Sequence, residues 1–213
     1  MSSLRVPKID GNIVTLNYAT LQQKLEMLPW NNLPNVNWPE EYPDKPIVNF
    51  QIAHSGESIF LHYVVDEDFV KAQYVRPNEA VWEDSCVEFF VSFDERKHYY
   101  NLEFNVLGTG LIGYGTEVKS ERQRLRASLI ETVQTVTSVV HTGGKKTWGI
   151  VLIIPVSVFT ESSIARLDGV KAHANFYKCG DGLPKPHFIS WSKIDYPTPN
   201  FHLPAFFGDV IFE

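Results

Sequence analysis

The chain has 213 residues, 44% hydrophobic and 21% charged, with a formal net charge of −6. That length and balance suit one β-sandwich or α/β domain and exclude a disordered chain. The acidic charge gives no electrostatic basis for binding nucleic acid or an anionic membrane, and the longest apolar runs, such as residues 149–155, are too short to span a bilayer.

The N-terminal stretch MSSLRVPKIDGN has no apolar signal-peptide region, which reads as cytoplasmic unless a signal has been trimmed away. Residues 1–46 read as an arm laid across the domain. Leu21, Leu25 and Leu28 recur at helical spacing and predict a short amphipathic helix. Pro29, Pro34, Pro39, Pro43 and Pro46 then keep the chain irregular or extended, with Trp30 and Trp38 as packing anchors. Residues 47–53 and 58–65 alternate as strands around a turn at Gly56, and 66–74 could hold one helical turn.

Residues 81–115 carry the densest pattern. Val87, Phe89, Val91 and Phe93 share one face of a predicted strand, opposite Cys86, Glu88, Phe90 and Ser92. Tyr100, Leu102, Phe104 and Val106 share a face of the next, opposite Tyr99, Asn101, Glu103 and Asn105. Joined as a hairpin, the two apolar sets must lie on the same side. One register that achieves this sets Phe93 against Tyr100, Glu88 against Asn105 and Phe90 against Glu103. The second face then collects carboxylates, amides and rings, a candidate site.

Past the hairpin, Gly108, Gly110, Gly113 and Gly115 break the regular pattern, without the Lys-Ser/Thr of a phosphate loop. Arg122, Arg124 and Arg126 form a basic stripe if 122–130 is a strand. Residues 132–140, the doubly apolar run 147–155, 170–178, the segment HFISW and 209–212 complete about nine or ten predicted strands. The class is all-β: a single antiparallel β-sandwich of immunoglobulin or jelly-roll type, with a short N-terminal helical arm.

Glu88 and Glu103 on one face could serve glycoside hydrolysis as paired carboxyls, or could both accept hydrogen bonds from a polar ligand. No nucleophile motif appears. Cys86 and Cys179 lie far apart and cannot make a zinc site, and Cys86 reads as a free half-buried thiol. The seven histidines form no H-x-x-x-H or H-x-H, so a metal cluster could arise only by tertiary assembly. Asp66, Asp68 and carbonyls could supply oxygens to calcium. A sugar ring offers an apolar C–H face for an indole and hydroxyls for bidentate polar partners. Trp82, Trp191, Glu88, Glu103, Asn105 and Arg126 would meet both needs.

At these residues the sequence resembles a known family. W-x-D-S-C-V-E-F-F at 82–90, Y-Y-N-x-E-F-N at 99–105, A-N-F-Y-K-C-G-D and F-x-S-W resemble the carbohydrate-binding module family 9-like domains of the DOMON-like β-sandwich group, from about Pro46 to Glu213. The resemblance implies a non-catalytic sandwich that binds a mono- or oligosaccharide between two Trp rings, with polar side chains on its hydroxyls. Trp82 and Glu88 match the family's Trp and Glu, and Glu103 and Asn105 fall in the strand that supplies polar ligands. Trp191 is the candidate second ring and Arg126 the basic ligand. Structural calcium is a family feature, but its early acidic pattern survives here only as Asp10-Gly11-Asn12, so no cofactor is expected. Haem, bound by relatives in the group through Met and His, is not expected either: Met1 and Met27 lie outside the sandwich. A glycoside-active enzyme using Glu88 and Glu103, or a protein-interaction sandwich without a sugar, are the alternatives.

Overall fold

Alternating apolar side chains build two facing sheets. The computed structural model describes residues 2–9 and 18–213. Asp10-Gly11-Asn12 therefore lies outside the described residues. In chain order the elements are β1 (Ser3–Val6), α1 (Tyr18–Glu26), β2 (Asn31–Asn32), β3 (Asn35–Val36), β4 (Ile47–His54), β5 (Ser58–Glu67), β6 (Cys86–Ser92) and β7 (Tyr99–Asn105). There follow β8 (Gly110–Gly115), β9 (Gln123–Arg124), α2 (Ala127–Ile130), β10 (Gln134–Thr142), β11 (Lys145–Pro155), β12 (Lys171–Cys179), β13 (Phe188–Ser190) and β14 (Gly208–Phe212).

The first sheet runs β1-β14-β12-β6-β7-β8-β9, with β13 bridging β12 and β3, and the second runs β10-β11-β5-β4-β2. Strand pairing within the sheets is antiparallel except for β1 beside β14. The predicted antiparallel sandwich and its N-terminal helix are what the chain forms. The doubly apolar run is the interior strand β11, between β10 and β5.

Three apolar layers follow from the alternation. Val87, Phe89, Val91, Tyr100, Leu102 and Phe104 meet Phe50, Tyr63, Trp148 and Ile150 between the sheets. On the outer face of the second sheet, α1 lays Leu21 and Leu25 on Ala53, Phe60 and Val151. On the outer face of the first sheet, Phe90, Tyr99 and Tyr177 are covered by Trp38, Ile194, Phe201 and Phe207. This last layer positions the site: the covering segments stop short of one part of the sheet and leave a hollow.

Several local expectations are corrected. The β6–β7 register pairs Glu88 with Glu103 and Phe90 with Asn101, two residues from the expected pairing but with the same faces. The cause is a longer loop. Glu95 and Arg96 both take positive φ, Ser92 Oγ accepts Arg96 N–H at 3.0 Å, and Asp94 Oδ1 accepts His98 N–H at 2.9 Å. The glycine-rich stretch is the strand β8, paired with β7, because its glycines admit close neighbours: a Cβ on Gly113 would lie 2.6 Å from Asn101 Oδ1.

Residues 66–74 hold no helical turn. Asp66 and Glu67 extend β5 against Thr147 and Lys146, and the N–H groups of Lys71, Gln73 and Tyr74 donate to Ser85 Oγ and Asp84 Oδ2. Trp82 sits in a 3₁₀ turn, Val81–Glu83, ahead of β6. Only Gln123–Arg124 of the basic stripe is strand, since the Arg126 carbonyl accepts the N–H groups that start α2. Of the arm's tryptophans, Trp38 is an anchor, donating its indole N–H to Tyr196 O at 2.7 Å, whereas Trp30 is half exposed.

Candidate functional site

The hollow is a cavity of about 410 Å³ on the outer face of the first sheet, within the size range of small-molecule sites. Its floor comes from four adjacent strands: Glu88 on β6, Asn101 and Glu103 on β7, Leu111 and Gly113 on β8, and Cys179 on β12. Trp82, Arg122, Arg124, Phe188, Phe201 and His202 stand around it, with Lys119 and Asp181 also lining. Period-2 alternation accounts for the floor, because every second side chain of β6 and β7 must leave the core for this face.

The floor is an ordered polar chain. The Arg122 guanidinium donates to Asn101 Oδ1, and Asn101 Nδ2 donates to Glu103 Oε1 at 2.8 Å. Arg122 is fixed by donating to the carbonyls of Gly115 (2.9 Å), Thr116 (2.7 Å) and Tyr99 (3.1 Å), and it lies 3.9 Å from the Tyr99 ring centroid. Arg124 donates to Asn78 O and lies over the Trp82 ring, 5.7 Å from its centroid.

Opposite Glu103 on the neighbouring strand, Glu88 Oε1 accepts the Cys179 thiol at 3.0 Å. Both acids are almost fully buried. Burial is the main reason that Glu88 is held well above the ordinary carboxyl range, with Cys179 and Glu103 adding to it. Burial also lifts Glu103, to about 7, against the opposing pull of the Asn101 hydrogen bond and the two guanidinium groups. The floor thus offers two neighbouring carboxyls in which burial favours the neutral form, Glu88 the more strongly.

The structure brings Trp82, Glu88 and Glu103 to the cavity, and it places Asn105, Arg126 and Trp191 elsewhere. Asn105 is fully buried. Its Nδ2 donates to Asp84 Oδ2 (2.9 Å) and Tyr74 O (2.8 Å), and its Oδ1 accepts the N–H groups of Leu107 and Thr109, so it ties two loops together. Arg126 flanks α2 and lines a neighbouring hollow of about 660 Å³ that shares Gln123 and Arg124 with the first. Trp191 packs edge-on to Phe176, 5.5 Å between centroids, against the inter-sheet core, whereas Trp82 packs on the outer-face layer. These two indoles do not form a clamp. Of the side chains that join Trp82 in the cavity, Asn101 lay on the right face, and Arg122 and Arg124 belonged to the stripe that pointed to Arg126. Phe201 and His202 come from a Pro-rich stretch with no periodicity to place them.

The two cysteines, distant in sequence, are opposite one another on β12 and β6. Both are buried and free. Of the acids suggested for calcium, Asp68 is engaged by ammonium groups, its carboxylate accepting Lys185 Nζ at 2.5 Å and its carbonyl Lys146 Nζ at 2.6 Å, and Asp66 accepts the Thr147 hydroxyl.

The family pattern of carbohydrate-binding family 9 matches residues 18–212. A provisionally named carbohydrate-binding protein from Bacteroides uniformis is 41% identical over 99% of both chains, with a TM-score of 0.91. A family 9 module from Caldicellulosiruptor kristjanssonii, solved with glucose, has a TM-score of 0.60 at 11% identity, over 100% of this chain and 96% of that one. The same organism's module with cellotriose gives 0.58 at 12%, over 100% and 94%. No curated protein matches the chain.

Proposed function

The chain belongs to carbohydrate-binding family 9, and we propose that its cavity holds a pyranose ring of a mono- or oligosaccharide without cleaving it. The observation that carries this reading is the pairing of an aromatic wall, Trp82 with Phe188 and Phe201, with a floor of Glu88, Glu103 and Asn101 in one cavity. A sugar needs both: rings for its C–H face and fixed acceptors and donors for its hydroxyls. Arg124 also lines the cavity as a charge-assisted donor, while Arg122 holds the floor in place through Asn101. Glucose and cellotriose, the ligands of the Caldicellulosiruptor modules, set the ligand class to try first.

Membership of a carbohydrate-binding family favours binding over hydrolysis, and the acid pair suits it: one oxygen of each carboxyl is fixed by a protein donor, Cys179 for Glu88 and Asn101 for Glu103. A hydrolase needs one carboxylate free to attack, or to activate a water, and the other free to protonate the leaving oxygen. Isothermal titration calorimetry against glucose, cellobiose and cellotriose tests the reading, with a reducing-end assay on the same samples. Saturable heat with no new reducing ends is expected. Release of reducing ends that Glu88→Gln abolishes would overturn the non-catalytic reading, and absence of heat with every sugar would overturn the binding reading.

A further inference from the structure

Beside the cavity floor lies a cluster with two thiols that sugar recognition does not need. Cys86 and Glu88 are two residues apart on β6 and so share a face, and Cys179 on β12 is the direct partner of Cys86. The two sulfurs and a Glu88 carboxylate oxygen all lie within 4.8 Å of one another. Hydrogen bonds inside the group and to backbone hold them: Cys179 Sγ–H donates to Glu88 Oε1 at 3.0 Å, with Trp82 O 3.6 Å from the same sulfur, and Cys86 Sγ–H donates to Val87 O at 3.7 Å.

We propose that Cys86, Cys179 and Glu88 form a binding site for a thiophilic divalent cation, zinc being the ion that the donor set fits. Two sulfurs and one carboxylate oxygen are a zinc donor set, and a tetrahedral ion with Zn–S of about 2.3 Å and Zn–O of about 2.0–2.2 Å separates its ligands by roughly 3.5–3.8 Å. All three atoms lie within 4.8 Å of one another, and opening the 3.0 Å contact between Cys179 and Glu88 by about half an ångström brings that pair to the separation an ion needs. Hard cations are disfavoured, since calcium and magnesium call for oxygen ligands. The backbone does the positioning: three adjacent side chains on paired strands are held without loop motion. Glu88 and Cys179 also line the cavity, so the fourth tetrahedral position opens there to water or to a ligand hydroxyl.

Binding breaks two S–H bonds and forms two S–Zn bonds, releasing both protons to solvent, along with the Glu88 proton if it is present. No redox change is involved. The site stands whether or not a sugar occupies the cavity. With zinc in place, one Glu88 oxygen is lost to hydroxyls, so metal and sugar compete for that side chain.

The experiment is Co²⁺ titration of the full chain under reducing conditions, followed by zinc analysis and zinc-edge X-ray absorption of the wild type. A near-ultraviolet thiolate-to-cobalt band saturating at one ion per chain is expected. Zinc should abolish it, and so should Cys86→Ala or Cys179→Ala in chains whose circular dichroism matches wild type. The absorption edge should report two sulfur neighbours at about 2.3 Å. If either variant fails to fold, the wild-type edge decides. Absence of the band with both thiols reduced, or a zinc shell of oxygen and nitrogen alone, would overturn the site. So would a Cys86–Cys179 disulfide that persists under reductant.

Discussion

Glu88 and Glu103 face one another across β6 and β7 on the cavity floor. Each reaches the same space from its own strand, and each is held by a different donor, the Cys179 thiol and the Asn101 amide. Replacing either by Gln keeps the shape and removes a potential anionic acceptor. Sugar affinity should fall about 10- to 150-fold for Glu103→Gln, the equivalent of about 1.5–3 kcal/mol for a hydrogen bond to a charged group, and only about 2- to 12-fold for Glu88→Gln, about 0.5–1.5 kcal/mol, because burial favours its neutral form. Calorimetric titration at neutral pH reads this, and unchanged affinity in both variants would remove the acids from the site.

Gly113 is the floor position with no room for a side chain. A Cβ there would come within 2.6 Å of Asn101 Oδ1, the atom that accepts from Arg122. Gly113→Ala should therefore displace the Arg122–Asn101–Glu103 chain. We expect a stably folded variant with at least a tenfold weaker sugar complex, checked by thermal melting and titration together.

The buried ion pair Lys178–Glu67, 2.9 Å, joins the two sheets at one end of the core. Trp148 Nε1 donates to the second Glu67 oxygen at 2.6 Å, and Lys178 Nζ donates to His187 Nε2 at 2.7 Å. Lys178→Met leaves a buried carboxylate unpaired and should cost about 3–5 kcal/mol in chemical unfolding. Combining it with Glu67→Gln should recover part of that loss.

His187 adds a pH dependence to the same network. Burial and the neighbouring Lys178 lower its pKa from 6.5 to about 3. Both ring nitrogens are committed, Nε2 as acceptor from Lys178 and Nδ1–H as donor to Lys185 O at 3.0 Å. Between pH 6.5 and about 3 the unfolded chain binds a proton that the folded imidazole refuses. Its contribution is thus present above 6.5 and lost as pH falls, by up to about 1.4 kcal/mol per pH unit. His187→Gln should flatten the acid limb of a stability-versus-pH curve; an unchanged slope would contradict the assignment.

Much of this was legible in the sequence, and the part that was not has physical causes. The sandwich, the faces of β6 and β7 and the location of Glu88 and Glu103 follow from period-2 alternation, which survives a two-residue register error because the faces are unchanged. The register itself was hidden because Glu95 and Arg96 occupy left-handed positions without the glycine that would have advertised a longer loop. Asn105 shares the polar face by alternation, yet its amide is consumed by Asp84 and Tyr74 before a ligand could use it. Arg122 and Arg126 look alike in sequence, and only the end of the strand after Arg124 separates them. Trp191 follows β13 and packs on Phe176, a tertiary outcome without a local signal. Cys86 and Cys179 are neighbours only because β12 returns beside β6.

The most direct test of the sugar site is intrinsic tryptophan fluorescence titrated with glucose and cello-oligosaccharides, on wild type, Trp82→Ala and Trp191→Ala. Trp82 lines the cavity and Trp191 supports the core. The account predicts a saturable change in wild type that Trp82→Ala loses. Trp191→Ala should keep the same midpoint while melting at lower temperature. A response that survives Trp82→Ala, or that Trp191→Ala abolishes in a folded protein, would contradict it.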